Sequence, residues 1–204
     1  CVFGLGWGDE GKGKVVDLLT RKVQVVARFN GGHNAGHTVI VGGKKYILHV
    51  IPSGIIHPGV LCVAGNGMVI NPTAFEKEKK ELEDLGVEVG EDLILSDRIH
   101  LILPHHYALE ALSEEQRGKR ALGTTLRGTG PAYEDKVGRR GVRMGDLLRP
   151  ATLPEKLAEA RRHYEALVRG AGREPEVDWD AVVEELREFG ERHGGRIRDA
   201  SLVL

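Results

Sequence analysis

The chain has 204 residues, somewhat more than one ordinary domain, and is long enough to bury a hydrophobic core. Apolar residues make up 41% and charged residues 29%, and the formal net charge is -1; these values exclude collagen-like, coiled-coil and strongly disordered chains and leave no bulk positive charge for nucleic acid. The 28 glycines are about twice the ordinary share, and half of them fall in residues 1–70. We therefore expect loops in this part whose backbone approaches a ligand closely.

The cysteine content and the uncharged stretches bear on location. The two cysteines, Cys1 and Cys62, are too few for a disulfide framework or a metal knuckle, and they predict free thiols in a reducing, cytoplasmic compartment. The longest stretch without Lys, Arg, Asp or Glu, residues 46–75, contains three prolines, so it predicts buried strands and loops rather than a membrane span. The sequence begins within an apolar run, and we expect the natural N-terminus to lie further upstream.

Strands and helices alternate through the first half of the chain. Short apolar or β-branched runs predict strands, helical periodicity predicts helices, and Gly42-Gly43 is typical of a hairpin turn. In chain order we predict a strand at 2–5, a glycine-rich loop, a helix at 12–21, a strand at 23–29, a hairpin at 38–41 and 44–51, a strand at 60–64, a helix at 73–85 and a strand at 93–96. This alternation predicts an α/β fold with a mainly parallel sheet.

Helices dominate the predicted structure after residue 103. They are expected at 104–116, 154–169 and 179–193, and the segment 118–140 is rich in glycine and basic residues. Val182, Leu186 and Phe189 recur at helical spacing and predict a stripe that faces the core. We expect one domain with two parts: a phosphate-loop α/β part at 1–103, and a basic loop with a helical subdomain at 104–204.

Residues 4–14 (GLGWGDEGKGK) predict a phosphate-binding loop like a P-loop. They contain both a G-x-G-x-x-G and a G-x-x-x-x-G-K pattern between a predicted strand and a predicted helix, where backbone N–H groups converge on an anion. The carboxylates of Asp9 and Glu10 would repel the pyrophosphate of a dinucleotide, which favours a triphosphate with Mg²⁺ held by a loop carboxylate. Asp9 could also act as a base, and Lys12 would neutralise the β- and γ-phosphates. A plain glycine-rich turn is the alternative interpretation.

Residues 31–38 (GGHNAGHT) follow a predicted strand and contain two histidines four residues apart. Three glycines and one asparagine disfavour a helix here, so a loop is expected instead of a helical metal pair. A histidine in such a loop could serve as a general acid or donate to a phosphoryl group, with an effect of roughly 10²- to 10⁴-fold. Alternatively, each histidine only bonds the loop backbone.

The segment 117–149 is a basic arm with nine Lys or Arg residues against three acidic ones. Tyr133 is its only aromatic residue, so the arm lacks the stacking side chains that bind single-stranded nucleic acid. A mononucleotide phosphate fits better, because Arg binds phosphate bidentately and Gly123, Thr124 and Thr125 offer hydroxyls and amides. A solvated loop is the alternative.

Five motifs taken together resemble the adenylosuccinate synthetases. They are WGDEGKGK at 7–14, GGHNAGHT at 31–38, LHVIPSGI at 48–55, GNGMVINP at 65–72 and GPAYEDKVGRRG at 130–141. The resemblance covers the N-terminal half of that family. It implies GTP-dependent ligation of IMP and L-aspartate to adenylosuccinate, GDP and phosphate through a 6-phosphoryl-IMP intermediate, in purine nucleotide synthesis. It also implies one Mg²⁺ per subunit, a homodimer, and neither nucleic acid nor membrane as a partner.

The resemblance also implies roles for individual residues. Asp9 would be the base at N1 of IMP, His37 its acid partner, and Asp9 with the Gly36 carbonyl would bind Mg²⁺. The residues implied to bind GTP are Gly8, Asp9, Glu10, Gly11, Lys12, Gly13, Lys14, Gly36, His37 and Thr38. Those implied to bind IMP are Asp9, Glu10, Gly11, Lys12, Asn34, Ala35, Gly36, His37, Thr125 and Arg139, with Arg139 reaching the IMP of the partner subunit.

The chain departs from the family pattern at several points. Leu126 and Thr129 stand where the pattern GTTGRGIGP has glycine and isoleucine, so a side chain replaces an expected glycine beside the nucleotide and the loop conformation at 126 stays open. Gly6 replaces a glutamine. Family members are about twice as long, and their FEGAQG, aspartate-binding and guanine-reading segments lie beyond residue 204. A non-catalytic nucleotide-binding fragment and an unrelated P-loop kinase or GTPase therefore stay open as alternatives.

Overall fold

The computed structural model describes residues 1–5 and 11–204. In this part of the chain the main sheet has five strands, all paired in parallel. Strands β1 (Val25–Gly31), β4 (Leu61–Ile70), β5 (Leu93–Ser96) and β7 (Ile197–Arg198) lie side by side in that order, and β6 (His100–Leu101) pairs with the end of β4. Strands β2 (His37–Val41) and β3 (Lys44–Leu48) form a separate antiparallel hairpin. The predicted α/β fold with a mainly parallel sheet is confirmed.

Helices cover the sheet and make up most of the second half. They are α1 (Lys12–Thr20), α2 (Pro72–Asp84), α3 (Pro104–Arg117), α4 (Thr129–Val137), α5 (Leu153–Gly170), α6 (Trp179–His193) and α7 (Ala200–Val203). Short 3₁₀ turns lie at Ser53–Ile56, Gly118–Arg120, Met144–Leu148, Pro150–Thr152 and Gly194–Arg196. The predicted helical layer after residue 103 is therefore present, and the main hydrophobic core draws on both halves of the chain. The division into parts at 1–103 and 104–204 stays a prediction.

Strand β4 is buried on both faces because its side chains alternate between two cores. Cys62 and Met68 point into the main core, which α2, α3, α5 and α6 also line. Val63 packs instead against α7, and Val69 packs against α4. A strand covered on both sides has no use for polar side chains, which explains the run of apolar residues in β4.

Two helices begin at side-chain caps that the sequence encodes. Asn71 accepts a hydrogen bond from the backbone N–H of Ala74 (2.7 Å) and precedes a proline at the first position of α2. Asp178 caps α6 by accepting from the N–H of Asp180 (3.1 Å) and that of Ala181 (3.0 Å). The three residues of the predicted stripe on α6 are only 3%, 0% and 1% exposed, so its core-facing role is confirmed.

The β2–β3 hairpin turns at Gly42 and Gly43, as predicted. Their φ angles are 57° and 80°, and a two-residue turn with both φ values positive matches the twist of the strands that it joins. The register pairs His37 with Leu48. The hairpin therefore brings the residue that follows β3, His49, close to the loop that precedes β2.

Several predicted elements differ from the structure. Residues 2–5 form no strand, and Phe3 and Leu5 are 68% and 93% exposed because no described strand pairs with this run. The predicted strand at 60–64 continues through Asn66 and Gly67 to Ile70, since pairing with β1 overrides the weak strand propensity of those two residues. Helix α4 lies inside the segment expected to be a basic loop. The phosphate loop itself, residues 6–10, falls outside the described residues.

Most of the uncharged segment belongs to the core, and so does Cys62, whereas Cys1 lies at the surface. Residues 46–75 are mostly buried, as predicted. Both cysteines are free thiols, Cys1 exposed and Cys62 buried, and burial together with the nearby Asp92 raises the pKa of Cys62 to about 12. Within residues 1–5 and 11–204, no helix combines the length and apolar character required to cross a bilayer.

Candidate functional site

The described part of the predicted phosphate loop is the start of α1. Gly11 precedes the helix with a φ of 78°, and its carbonyl accepts the N–H of Lys14 (3.0 Å). Lys12, Gly13 and Lys14 form the first turn, whose N–H groups and helix dipole favour an anion. The predicted residues Gly8, Asp9 and Glu10 lie outside the described residues.

His37 lies directly against this helix start. A Cβ added at Gly13 would be 3.2 Å from the Cβ of His37 and 3.8 Å from its Nδ1, so the helix approaches the imidazole only because residue 13 has no side chain. Burial lowers the pKa of His37, and the positive charges of Arg28 and Lys12, with a smaller contribution from His49, lower it further. The structure therefore brings the start of α1, from the predicted phosphate-loop motif, against His37, from the motif at 31–38. The lowered pKa keeps His37 neutral.

The loop at 31–36 leaves its predicted ligand-binding residues accessible. Asn34, Ala35 and Gly36 are exposed, and so is Thr38 on β2. A Cβ at Gly36 would lie 2.9 Å from Cε1 of His49, which shows how closely that ring supports the loop. The predicted loop conformation of 31–36, in place of a helix, is the one observed.

The first histidine of the loop has a different environment from the second. His33 is 5% exposed, its Nε2 lies 3.2 Å from the hydroxyl of Tyr107, and its carbonyl accepts from Arg127 (2.7 Å). Burial and the charge of Arg127 lower the pKa of His33 to about 4. Its Nδ1 has no hydrogen-bond partner among the described residues. His33 thus anchors the loop to the helical half, whereas His37 faces α1.

Helix α4 and the segment before it hold the same loop from the other side. The N–H of Gly31 donates to the hydroxyl of Tyr133 (2.9 Å), which in turn donates to the carbonyl of Gly67 (2.8 Å). A Cβ at Gly32 would be 3.3 Å from Oγ1 of Thr129. The basic arm and the histidine loop therefore form one surface.

The loop before α4 is shaped by a carboxylate that the sequence analysis missed. Glu114 accepts from the N–H groups of Leu122 (3.2 Å), Gly123 (2.8 Å) and Thr124 (3.4 Å). Desolvation alone would raise the pKa of Glu114, but these three donors outweigh it and lower the pKa. The amides of Gly123 and Thr124, expected to hold a phosphate, are thus occupied by a side chain of the same chain. Thr125, the predicted IMP contact, is exposed.

Leu126, which replaces a glycine of the family pattern, has a positive φ. Its φ is 51°, in the left-handed region that favours glycine, and the side chain is 49% exposed. Leucine therefore occupies a conformation that favours glycine, the residue of the family motif at this position.

The chain is similar along its whole length to proteins of one known family. The family model described as adenylosuccinate synthetase matches residues 1–204, the whole chain. The chain belongs to the adenylosuccinate synthetase family. The adenylosuccinate synthetase of Saccharophagus degradans is 54% identical over 204 residues, which are 100% of this chain and 47% of that protein. The Xylella fastidiosa relative of the same name is 50% identical over 93% of this chain and 44% of its own length.

Two solved structures resemble this member of the adenylosuccinate synthetase family. Fully ligated adenylosuccinate synthetase from Plasmodium falciparum superposes with a TM-score of 0.81 at 35% identity, over 96% of this chain and 45% of that one. Succinoaminodeoxyadenylate synthetase of cyanophage S-2L, bound to dGMP and dATP, gives a TM-score of 0.56 at 28% identity over 70% of this chain and 39% of that one. The chain spans about half the length of the curated relatives that it matches.

Arg139 lies beyond the end of α4 that is opposite to Thr129. It follows the C-terminal end of α4 with a φ of 62° and lines a cavity of about 860 Å³ with Lys136, Arg143 and Arg149. Thr129, which approaches Gly32, lies at the opposite end of the same helix. The residues that line this cavity with Arg139 include none from the loop at 31–37.

A buried cluster of His105, His106 and Asp135 has the composition of a metal site but the hydrogen bonding of a core network. Nδ1 of His106 accepts the N–H of Leu103 (2.9 Å), so the neutral ring carries its proton on Nε2 and donates it to Asp135 (3.2 Å). Arg140 occupies the other carboxylate oxygen (2.9 Å). With no lone pair left on that Nε2, and with nitrogen donors that suit Mg²⁺ poorly, the cluster is a structural network.

Besides Glu114, two residues that organise the site were missed in the sequence. Arg28 is a charged residue within the run VQVVARF, and Glu78 lies on the same helical stripe as Phe75 and Leu82. A charge on an otherwise apolar helix face could have identified Glu78, because a buried charge needs a partner, whereas no pattern around Arg28 marks it.

Proposed function

We propose that this chain carries the phosphate-binding and proton-transfer residues of an adenylosuccinate synthetase, which joins IMP and L-aspartate and converts GTP to GDP and phosphate. The observation that carries the proposal is the contact between Gly13 and His37. It places the anion-favouring start of α1 and an imidazole beside the same space. Membership of the family supports the same reaction. Since the chain spans about half of its relatives, we propose this activity for the chain together with the matching second half.

The reaction divides into two transfers. Asp9 takes the proton from N1 of IMP, and O6 attacks the γ-phosphorus of GTP; the bond from that phosphorus to the bridging oxygen breaks, and GDP leaves. The amino group of L-aspartate then attacks C6, the C6–O6 bond breaks, phosphate leaves and the nitrogen loses a proton, which gives adenylosuccinate. His37, neutral because its pKa is lowered by burial and neighbouring cations, donates an N–H to the oxygen on which charge develops.

The phosphate contacts follow from the start of α1. The backbone from Gly8 to Lys14 binds the GTP phosphates, with Lys12 neutralising their charge, and Gly36, His37 and Thr38 complete that side of the site. Asn34, Ala35 and Thr125 contact IMP, and their exposure leaves them accessible to it. Gly11 and Lys12 at the start of α1 would also contact IMP, together with Asp9 and Glu10.

The donor set suits the magnesium ion that the family implies. A carboxylate and a backbone carbonyl are oxygen ligands, which Mg²⁺ prefers, and the carbonyl of Gly36 belongs to an exposed residue of a braced loop. Asp9 and Gly36 would hold the ion. When bound, Mg²⁺ would neutralise charge on the transferring phosphoryl group.

The position of Arg139 supports a homodimer in which this arginine binds the IMP of the partner subunit. It is exposed and lies beyond the far end of α4 from the histidine loop, so it contributes little to the site of its own chain. The free thiols and the nucleotide substrates fit a cytoplasmic enzyme. Neither nucleic acid nor membrane is a partner in this proposal.

The test is an assay of ligation with IMP, GTP, Mg²⁺ and L-aspartate. A chimera that joins this chain to the second half of the Saccharophagus degradans relative should form adenylosuccinate, and the 204-residue chain alone should bind nucleotide without steady turnover. Asp9→Asn and His37→Gln should each reduce kcat by roughly 10²- to 10⁴-fold. His163→Gln on α5 is the matched control and should leave kcat unchanged.

Other outcomes separate the alternatives. Phosphate release from GTP in the absence of IMP would indicate a kinase- or GTPase-like activity instead. A chimera that binds IMP and GTP but forms no adenylosuccinate would indicate a non-catalytic fragment. Full turnover in the His37→Gln chimera would exclude the assigned role of that histidine.

A further inference from the structure

A short strap of backbone, residues 49–51, is held between a half-buried cation, Arg28, and a buried anion, Glu78. The carbonyl of His49 accepts a hydrogen bond from Nη1 of Arg28. On the other side, the N–H of Val50 donates to Oε2 of Glu78 (2.8 Å), and the N–H of Ile51 donates to Oε1 (2.9 Å). Glu78 is 3% exposed, so its carboxylate has given up water for these two amides. The cation thus binds the carbonyl end of the strap, and the anion binds its amide end.

Arg28 also grips the loop at 31–37 directly. Its Nη2 donates to the carbonyl of Gly32 (2.9 Å), and its Nε donates to that of Asn30 (3.3 Å). The pairing of β1 with β4 is irregular between Arg28 and Asn30, where the side chain folds back along its own strand. A Cβ at Gly31 would lie 3.1 Å from Nη2, and the φ of 92° at Gly31 also favours glycine. The guanidinium fork therefore uses three carbonyls at once.

His49 transmits this arrangement to the exposed part of the loop. Its Nδ1 lies 3.0 Å from the carbonyl of Ala35, and an N–H at this position donates to it. Its ring packs so closely against Gly36 that a Cβ there would be 2.9 Å away. The backbone of His49 is held by Arg28, and its side chain holds Ala35 and Gly36.

Glu78 supports Arg28 by its charge, and the strap supports Glu78 by its amides. Burial lowers the pKa of Arg28 and raises that of Glu78, so each is penalised for its charge. The negative charge of Glu78 raises the pKa of Arg28 and so opposes the effect of burial. The hydrogen bonds from the strap, with that of Ile51 the largest, lower the pKa of Glu78 and oppose the effect of burial there. Removal of Glu78 would therefore leave Arg28 without its main favourable charge, whereas Glu78 would keep the amide hydrogen bonds of the strap if Arg28 were removed.

We propose that Arg28 and Glu78 are positioning residues of the nucleotide site, which fix the strap 49–51 and, through His49, hold the peptide of Ala35 and Gly36 in place. This rests on the proposed function, because it is the predicted IMP and Mg²⁺ contacts of that peptide that the two charges orient. Arginine is required at 28, since the single ammonium of lysine cannot reach three carbonyls in the geometry of a fork.

The test measures local order by ¹⁵N relaxation in the ligand-free chain. For the wild type we expect backbone order parameters near 0.85 at residues 34–36, as in β4, and values below about 0.6 there in Arg28→Lys and Glu78→Gln. The amides of β4 should keep their values. Glu76→Gln is the matched control: it makes the same chemical change on the same helix, but its partners are Arg192 and His193, so the loop should stay ordered.

His49→Ala keeps the result decisive if a buried-charge variant fails to fold. It removes the bond to Ala35 without touching Arg28 or Glu78, and it should loosen residues 34–36 while the melting temperature changes little. Unchanged order at 34–36 in His49→Ala and Arg28→Lys would overturn the proposal. Wild-type order parameters already below about 0.6 at residues 34–36 would also overturn the proposal, and so would an equal loss of order in β4.

A binding measurement separates this inference from the proposed function. By titration calorimetry with IMP, Arg28→Lys and His49→Ala should weaken affinity at least tenfold, and Glu76→Gln should leave it unchanged. If wild-type chain and chimera both fail to bind IMP, the proposed function fails, while the order parameters still decide whether the two charges position the loop.

Discussion

Leu126 allows a sharp test of how backbone conformation constrains the loop before α4. Its φ of 51° is one that glycine adopts freely and other residues adopt at a cost. The comparison to make is Leu126→Ala against Leu126→Gly, because both variants lose the leucine side chain and differ only in the Cβ. Any difference between them therefore reports the backbone and not the packing of leucine.

The expected difference follows from two opposing terms. In the left-handed region a Cβ costs roughly 1–2 kcal/mol, whereas glycine loses an extra 0.5–1 kcal/mol or so of chain entropy on folding. Glycine should therefore be the more stable of the two by about 0.5–1 kcal/mol. For a chain of this size that difference corresponds to a rise in melting temperature of about 2 °C relative to the alanine variant.

Urea and thermal unfolding of the two variants provide the measurement. Ala166→Gly, at an exposed position within α5, is the control, and there glycine should be the less stable by about 0.5–1 kcal/mol. The sign should thus reverse between the two sites. A glycine variant at 126 that is less stable than the alanine variant would refute the assignment of strain to this residue.

Three further predictions concern the core network, acid stability and the start of α1. Asp135→Ala leaves Arg140 and two buried histidines without their acceptor, and urea unfolding should show a loss of about 3–5 kcal/mol; a loss below about 1 kcal/mol would contradict the network. Burial lowers the pKa of His106 to about 4, so the stability that its neutral ring contributes is complete above pH 6.5 and falls as the pH drops towards 4. The decline is at most about 1.4 kcal/mol per pH unit, and urea midpoints between pH 7 and 5 should decrease less in His106→Gln than in the wild type. Gly13→Ala should keep or raise the melting temperature, since alanine favours helix, yet reduce turnover of the chimera at least tenfold because the new Cβ displaces His37; unchanged turnover would argue against the contact.

The elements of the fold were predictable where a local pattern carries them. The stripe at Val182, Leu186 and Phe189 identifies α6 within a residue at both ends, and Gly42-Gly43 marks the hairpin. The run 2–5 has the local pattern of a strand, but no described strand pairs with it. A local pattern of apolar residues does not determine whether a neighbouring strand is present. Helix α4 was missed because glycine and proline at its start conceal an ordinary helical turn sequence.

The candidate site was predictable only in its ligand-facing residues. Glycines, His37 and Asn34 stand in short motifs that can be recognised in the sequence. Arg28 and Glu78 stand in no motif, and the strap atoms that they bind belong to residues about 20 to 30 positions away in the chain. Glu114 likewise binds amides eight to ten residues further on, where the sequence shows only a charged helix end.

The sequence by itself determined the fold class, the family and the chemical types at the site, because those depend on periodicity and on short motifs whose residues are neighbours in the chain. The excess of glycine in residues 1–70 likewise marked the places of close backbone approach, among them Gly13 against His37 and Gly36 against His49. Only the tertiary structure decided which histidine faces the helix start, which amides Glu114 occupies and which buried charges hold the loop. These outcomes depend on hydrogen bonds to backbone atoms, and since every residue offers the same backbone groups, folding alone selects among them.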